Sequence, residues 1–222
     1  MNAGTVHLKL LWCLLLTLTL TCAPLVAFPA PKNHFEAVAG LKHFDPVVRA
    51  EALAWIAAHG RMADQPLLLK RLRDEDALVR VIAEQALWLL WSRSGDDALD
   101  RLMAGGVEQM QAARYAEAIA TFGEVIRRKP GFAEGWNKRA TVHFLAGDYR
   151  RSLRDCEQVL KRNPQHFGAL SGYGQIYVQL EQYEKALAYW RRALRVNPNM
   201  QGVEENIESV EQLLKEKRAR SI

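Results

Sequence analysis

Three prolines recur at a fixed interval in the second half of this 222-residue chain. Pro130, Pro164 and Pro198 are spaced 34 residues apart, and each follows a Lys or an Asn at the end of a basic amphipathic run. A strict period constrains the fold more than any single motif, because many positions must agree with it at once. Proline cannot continue a helix, so each one is expected to end one helix pair and mark the start of the next. The period therefore predicts an all-α solenoid of stacked antiparallel helix pairs.

Four further columns of similar side chains follow the same period. Small residues in the first and third columns would let two helix backbones approach closely, and the bulky fourth column would fill the space toward the next pair. The columns are Gly106, Ala140 and Gly174; Tyr115, Tyr149 and Tyr183; Ala118, Ser152 and Ala186; and Phe122, Cys156 and Trp190.

These columns resemble the pattern of the tetratricopeptide repeat family. The resemblance implies three units over residues 96–200, of which the third matches the pattern closely. The first unit departs from it most, since Gly105 and Gln109 stand where larger apolar or aromatic residues are usual.

Apolar residues continue at helical spacing beyond the third proline, between glutamates. The apolar face would cover the last helix pair while the glutamates face water, as the open end of a repeat array requires. The sequence predicts a capping helix and a basic tail over residues 201–222, with an apolar face formed by Val203, Ile207, Val210 and Leu214.

A second repeated sequence pattern precedes the tetratricopeptide units. The segment that begins at Asp45 matches the one that begins at Asp76, with Arg49 and Arg80 in equivalent places 31 residues apart. Both aspartates stand where a helix N-cap is expected, so each copy should open a helix. The copies resemble short HEAT-like repeats, a type also found in phycobilin-lyase proteins, over residues 28–95. The alternative is an unclassified pair of helical hairpins. In either case we expect a helical segment that stacks on the first tetratricopeptide pair as one continuous solenoid.

Residues 1–27 have the composition of a secretory signal peptide. Lys9 is their only charge, residues 10–27 are apolar or neutral, and small residues precede the predicted cleavage after Ala27. The segment predicts export across the inner membrane, into the periplasm. The alternative is an uncleaved anchor formed by residues 10–27, because a stretch of that length lies at the lower edge of the ~17–25 residues that span a bilayer.

The cysteines agree with a fold held by packing alone. Cys13 and Cys22 fall within the leader, so only Cys156 would remain after processing. A single cysteine forms no intramolecular disulfide.

No set of residues in the sequence is arranged for catalysis or metal binding. The histidines show no metal-ligand spacing, the glycines of Gly172–Gly174 follow no predicted strand, and no nucleophile can be paired with a base. Packing roles are expected for His143 and for Cys156, which falls on the buried face of a second helix. We therefore predict no catalytic residue, no cofactor, no metal site and no enzyme activity.

Basic residues recur on the second helices, interleaved with acidic ones, which is typical of a solvated outer face. Export would also separate the protein from most nucleic acid, so no nucleic-acid partner is predicted. Membrane contact is predicted only if the N-terminal segment stays uncleaved.

The family resemblance implies that the first helices of the repeats line a concave groove that contacts an extended peptide or a helix. Chaperone-tail clamps in this family hold a terminal carboxylate with Lys and Arg in the third unit. Gly168 and Gly172 occupy those places here, which disfavours a carboxylate clamp. The groove positions implied are Asn137, Lys138, Thr141, Phe144, Leu145, Ser171, Gln175, Val178 and Gln179.

The repeat pattern is complete, and no set of residues is arranged for catalysis. Together with the predicted export, this predicts a non-enzymatic scaffold that binds a protein or peptide partner in the cell envelope. One alternative is a structural subunit of an envelope assembly complex. Another, suggested by the HEAT-like segment, is a lyase-type protein that handles tetrapyrroles.

Overall fold

The computed structural model describes residues 30–220, and this part of the chain contains helices, turns and no strand. The predicted signal peptide, residues 1–27, lies outside the described residues. The helices are α1 His34–Gly40, α2 Pro46–His59, α3 Gln65–Arg71, α4 Ala77–Ser92, α5 Asp97–Gln111, α6 Tyr115–Arg128, α7 Ala133–Leu145, α8 Tyr149–Arg162, α9 Phe167–Gln179, α10 Tyr183–Val196 and α11 Gln201–Ala219. A single 3-10 turn, Met62–Asp64, precedes α3.

Three of the helix pairs reproduce the 34-residue period. Helices α5 and α6, α7 and α8, and α9 and α10 pack against each other in pairs. The second helix of each pair begins at a tyrosine of the predicted column, Tyr115, Tyr149 or Tyr183. Each second helix also ends two residues before the recurring proline. The predicted all-α solenoid of three units is therefore confirmed.

The close approach within two of the pairs depends on glycine. A Cβ on Gly106 would lie 2.6 Å from Cε1 of Phe122, and a Cβ on Gly174 would overlap the indole of Trp190. In the middle pair, the buried Ser152 hydroxyl donates to the Ala140 carbonyl at 2.8 Å. The small and bulky columns thus interlock as the sequence predicts.

The turn inside each pair uses the left-handed backbone region at the same column. The φ angles are +55° at Ala113, +76° at Gly147 and +55° at Glu181. Glycine adopts this conformation without steric cost, whereas residues with a Cβ are strained there. The first and third turns therefore carry strain that the middle turn avoids.

Residues 30–95, which we call the N-terminal unit, contain α1 to α4 around their own apolar core. Asp45 accepts from the Val47 N–H at 2.8 Å and Asp76 accepts from the Val79 N–H at 3.0 Å, so both predicted N-caps are confirmed. The HEAT-like assignment of this unit remains a prediction.

The two equivalent arginines of this unit make equivalent contacts. The Arg49 guanidinium donates to the carbonyls of the residues five and six positions earlier, and Arg80 does the same. Arg49 also donates to the buried Asp74 carboxylate at 2.7 Å. The 31-residue repeat in the sequence is therefore also a repeated local structure. In each copy, an arginine donates hydrogen bonds to carbonyls of the turn that precedes its helix.

The N-terminal unit reaches the loops that follow all three repeats. The Lys129 ammonium donates to the Ser94 carbonyl. Asn163 accepts from the Gln65 side chain at 3.2 Å, and Asn197 donates to Glu84 at 2.9 Å. The three loop positions are again 34 residues apart.

This placement differs from the expected end-to-end stacking on the first repeat. Trp88 and Trp91 of α4 pack on His166 and Phe167, at the start of α9 in the third repeat. The physical reason is burial of apolar surface: Phe167 joins the apolar core of the N-terminal unit, whereas the equivalent position of the second repeat is Ala133.

The capping helix is confirmed as α11. Val203 and Val210 are buried against Trp190, and Ile207 and Leu214 flank them half-buried.

Replacing Gly174 by Ala should destabilise the protein by about 1–3 kcal/mol, because the new methyl group overlaps Trp190. The matched control is Gly105→Ala, since a Cβ there meets nothing within 4 Å. It should stabilise helix α5 by up to about 1 kcal/mol. Urea unfolding of both variants measures the two changes, and equal effects would contradict the packing described.

Replacing Ala113 by Gly should raise the free energy of unfolding by up to about 1 kcal/mol, because it relieves the left-handed strain. Ala112→Gly is the control, since Ala112 has a φ of −79° and gains nothing from glycine. Thermal unfolding should show a higher midpoint for the first variant than for the second. The reverse order would refute the strain at this turn.

Candidate functional site

A cavity of about 260 Å³ lies between the first helices of the second and third repeats. Its lining is largely apolar and contains no charged side chain. The lining residues are Trp88, Asn137, Ala140, Thr141, Phe144, Ser152, Cys156, Gly168, Ala169, Ser171, Gly172, Gln175, Ile176 and Met200. We call this cavity the groove pocket.

Five of the nine predicted groove residues line the pocket, namely Asn137, Thr141, Phe144, Ser171 and Gln175. Helical spacing brings the first three to one face of α7, and the last two to one face of α9. Ser171 is nevertheless buried, and its carbonyl accepts from the Trp190 indole N–H at 3.1 Å. The structure therefore brings together a subset of the prediction, with Ser171 serving mainly in packing.

The other four predicted residues do not line the pocket. The Lys138 ammonium lies 3.2 Å from the Glu134 carboxylate, and the Gln179 side chain accepts from the Tyr149 hydroxyl at 3.3 Å. Val178 packs against the core beneath the capping helix, and Leu145 is exposed at the end of α7.

A buried carboxylate contacts one of the pocket residues, Asn137. Glu134 is fully buried, and its carboxylate lies 3.1 Å from Nε2 of the equally buried His166. The other ring nitrogen, Nδ1, accepts from the Ala169 N–H at 3.1 Å and so caps α9. Because Nδ1 accepts, the ring proton lies on Nε2, and His166 donates it to Glu134.

The electrostatics of Glu134 follow from these contacts. Burial by itself would raise the pKa of the carboxyl, but the hydrogen bond from His166 opposes burial and holds the pKa below its usual value. Lys138 and Asn137 act in the same direction. The carboxylate is therefore ionised at neutral pH, and its charge is paired with the Lys138 ammonium, 3.2 Å away.

The orientation of Asn137 follows from that charge. Its Nδ2 lies 3.2 Å from both carboxylate oxygens of Glu134, which can only accept. The amide nitrogen must therefore point at Glu134, and the amide oxygen is left without a hydrogen bond among the described residues. Asn137 thus offers the pocket an acceptor.

Among the residues of the wall that sequence reasoning missed, two lie far from the predicted positions, Trp88 and Met200. Both lie outside the predicted first helices, one in the N-terminal unit and one in the loop before α11. A signal was available in Gly168 and Gly172, because two glycines on one helix face leave room for a bulky neighbour. The sequence does not tell which residue supplies it.

Trp88 fills the space beside Gly168, one of the two positions that the family resemblance implies for a carboxylate clamp. A Cβ on Gly168 would overlap Cη2 of Trp88 and would lie 3.2 Å from Cζ2. The indole makes edge-to-face contacts with Trp91, His166 and Phe167, at centroid distances of 5.4, 5.5 and 5.1 Å. The ring is therefore held in place by three aromatic neighbours.

The pocket thiol and the nearby histidine are buried. Burial raises the pKa of the Cys156 thiol to about 12, so it remains protonated at neutral pH. His143 is also buried, and burial lowers its pKa. Both positions agree with the packing roles expected for them. Within residues 30–220, no cluster of three or more His, Cys, Asp or Glu side chains could hold a metal ion, and no helix is suited to crossing a bilayer.

The fold and the groove define an all-helical repeat protein with an uncharged cavity between two repeats. A family model described as tetratricopeptide repeat matches residues 103–155 and 137–200. A TPR repeat-containing protein of Rhizobium etli is 36% identical over 139 residues, which make up 63% of this chain and 67% of that protein. The chain belongs to the tetratricopeptide repeat family.

More distant matches lie among chaperone-related proteins. DnaJ homolog subfamily C member 3 of Bos taurus is 28% identical over 126 residues, or 55% of this chain and 25% of that protein. The chain therefore spans about a quarter of that relative.

Two solved structures show the same fold. The first TPR of Spaghetti (RPAP3), bound to the HSP90 peptide SRMEEVD, matches with a TM-score of 0.51 and 21% identity, over 53% of this chain and 93% of that one. The Sgt2 TPR domain of Aspergillus fumigatus matches with a TM-score of 0.53 and 17% identity, over 56% and 83%.

The depressed pKa of Glu134 makes a pH-dependent contribution to stability. The contribution is fully present above the unfolded-state pKa of about 4.3 and is lost as the pH falls through the lower folded-state pKa. Glu134→Gln should therefore lower stability at neutral pH by about 1–3 kcal/mol and reduce the further loss in acid.

Urea unfolding at a series of pH values measures this difference. Glu157→Gln, a change at an exposed carboxylate, is the control and should follow the wild type. If the free energy of unfolding fell equally with decreasing pH in the wild type and in Glu134→Gln, the role of the buried carboxylate would be contradicted.

Proposed function

We propose that this protein is a non-enzymatic scaffold that binds an extended segment of a protein partner in the groove pocket. The observation that carries the proposal is a cavity on the first helices of two adjacent repeats, lined by apolar side chains and uncharged polar groups. Tetratricopeptide repeats are typically protein-interaction modules. The Spaghetti domain, which shares the fold, holds a peptide of HSP90, and this supports a peptide as the kind of ligand.

The polar groups of the pocket suit a polypeptide backbone. The Asn137 amide oxygen is free to accept from a peptide N–H. The Thr141 hydroxyl donates to the Asn137 carbonyl at 3.0 Å, so its lone pairs also remain to accept. Phe144 and Ile176 add apolar contact area beside these acceptors. A bound strand or helix end would thus be held by backbone hydrogen bonds and by burial of an apolar side chain.

We place this activity in the cell envelope, on the composition of residues 1–27. That stretch has one charge, an apolar centre and Ala27 at the predicted cleavage position, in the order that secretory signals have. Amino-terminal sequencing of the protein from a membrane-free periplasmic fraction would support the proposal if the chain began at Phe28.

A structural subunit of an envelope assembly is the second candidate. Seven large apolar side chains of the N-terminal unit are exposed, and exposed apolar surface is typical of interfaces. They are Phe35, Phe44, Val47, Met62, Leu78, Val81 and Leu89. This candidate predicts a stable stoichiometric complex that survives changes in the groove pocket.

Affinity capture from an envelope extract tests the groove directly. We expect the variant Asn137→Ala plus Phe144→Ala to lose captured partners by at least about tenfold, because it removes one acceptor and one apolar contact. The control is Glu157→Ala plus Lys161→Ala, an exposed pair on α8 whose loss should cost little stability. A capture profile that the groove variant leaves unchanged would refute the proposed site.

A further inference from the structure

The groove pocket is built by two parts of the chain. Helices α7, α8 and α9 of the repeats and Met200 form most of the lining, and Trp88 of the N-terminal unit contributes a further wall next to Gly168. The unit that carries Trp88 is fixed to the repeat loops through Glu84 and Gln65. The indole is therefore a fixed part of the pocket.

The charges around the pocket favour some ligands over others. No charged side chain lines it, and the buried Glu134 carboxylate lies within hydrogen-bond distance of Asn137. The free group that Asn137 presents is an acceptor. A carboxylate needs donors or cations, and the Glu134 charge is already paired with Lys138, so an acidic terminus would meet an acceptor and no cation in this lining.

The shape of the pocket gives the second part of the argument. Trp88, Phe144, Ile176 and Met200 provide apolar surface from three different elements and one loop. A cavity of about 260 Å³ lined by such surface is suited to one large apolar side chain. The space that a clamp lysine would use at Gly168 is already filled by the Trp88 ring.

We propose that the N-terminal unit is part of the peptide site, and that Trp88 makes it selective for an internal, uncharged segment with one large apolar side chain. An acidic chain end is excluded from the pocket. The inference rests on the proposed function, since it names the ligand chemistry of the same groove.

The test is selection from a random library of short peptides, prepared once with C-terminal amides and once with free carboxylates. The wild type should retain peptides that carry a large apolar residue among uncharged neighbours and should deplete Asp and Glu. A free terminal carboxylate should bring no gain. Trp88→Ala should weaken binding of the best amide peptide by at least about tenfold.

The matched control is Trp55→Ala, which removes a half-buried indole of the same unit outside the pocket. Trp55→Ala should retain the same peptides as the wild type. If Trp88→Ala does not fold, as judged by circular dichroism, Trp88→Phe replaces it. Because phenylalanine keeps the aromatic contacts but is smaller, that variant should shift selection toward a larger apolar side chain.

The outcomes separate the two proposals. A folded wild type that retains no peptide would overturn the proposed function and this inference together. Retention of peptides with a preference for acidic ends, or a profile that both Trp88 variants leave unaltered, would overturn the inference alone.

Discussion

The stacking of Trp91 on His166 is the interaction on which the rest of the arrangement depends. The two rings lie 4.4 Å apart and nearly parallel, and the same imidazole donates to the buried Glu134 and caps α9. One side chain thus joins the N-terminal unit, the second repeat and the third repeat. Because His166 and Glu134 are both fully buried, loss of Glu134 would leave Nε2 of His166 without a hydrogen-bond acceptor.

The consequence for function is that the groove has a fixed wall outside the repeats. Gln65 accepts from the Trp91 indole at 2.6 Å and donates to Asn163, so the helix that carries Trp88 and Trp91 is tied to a repeat loop by polar contacts as well as by aromatic packing. A groove bounded in this way differs from an open concave surface, since one end is occupied by the chain itself. The preference for uncharged ligands that we propose rests on the Trp88 ring and on the acceptor that Asn137 presents.

Much of the fold could be predicted from sequence because its determinants are periodic. The tyrosines at 115, 149 and 183, the small residues facing Phe122 and Trp190, and the caps Asp45 and Asp76 act locally, so spacing reveals them. The position of the N-terminal unit could not be predicted, because it depends on contacts between residues far apart in sequence, such as Asn197 with Glu84. The candidate site could be predicted only in part for the same reason. Helical spacing indicates which residues share one face of α7, but Trp88 lines the pocket from α4, far away in sequence.

A cross-linking measurement tests most directly whether the N-terminal unit lies along the repeats. The side chains of Gln65 and Gln165 are 3.5 Å apart, although they stand 100 positions apart in sequence. With both changed to Cys, with Cys13 and Cys22 changed to Ser and with Cys156 buried, a short bis-maleimide should join residues 65 and 165 within one chain, in good yield and in the folded state. The product is recognised by mass spectrometry of the digested protein. A folded double variant in which residue 65 cross-links to no residue of the third repeat would contradict the account.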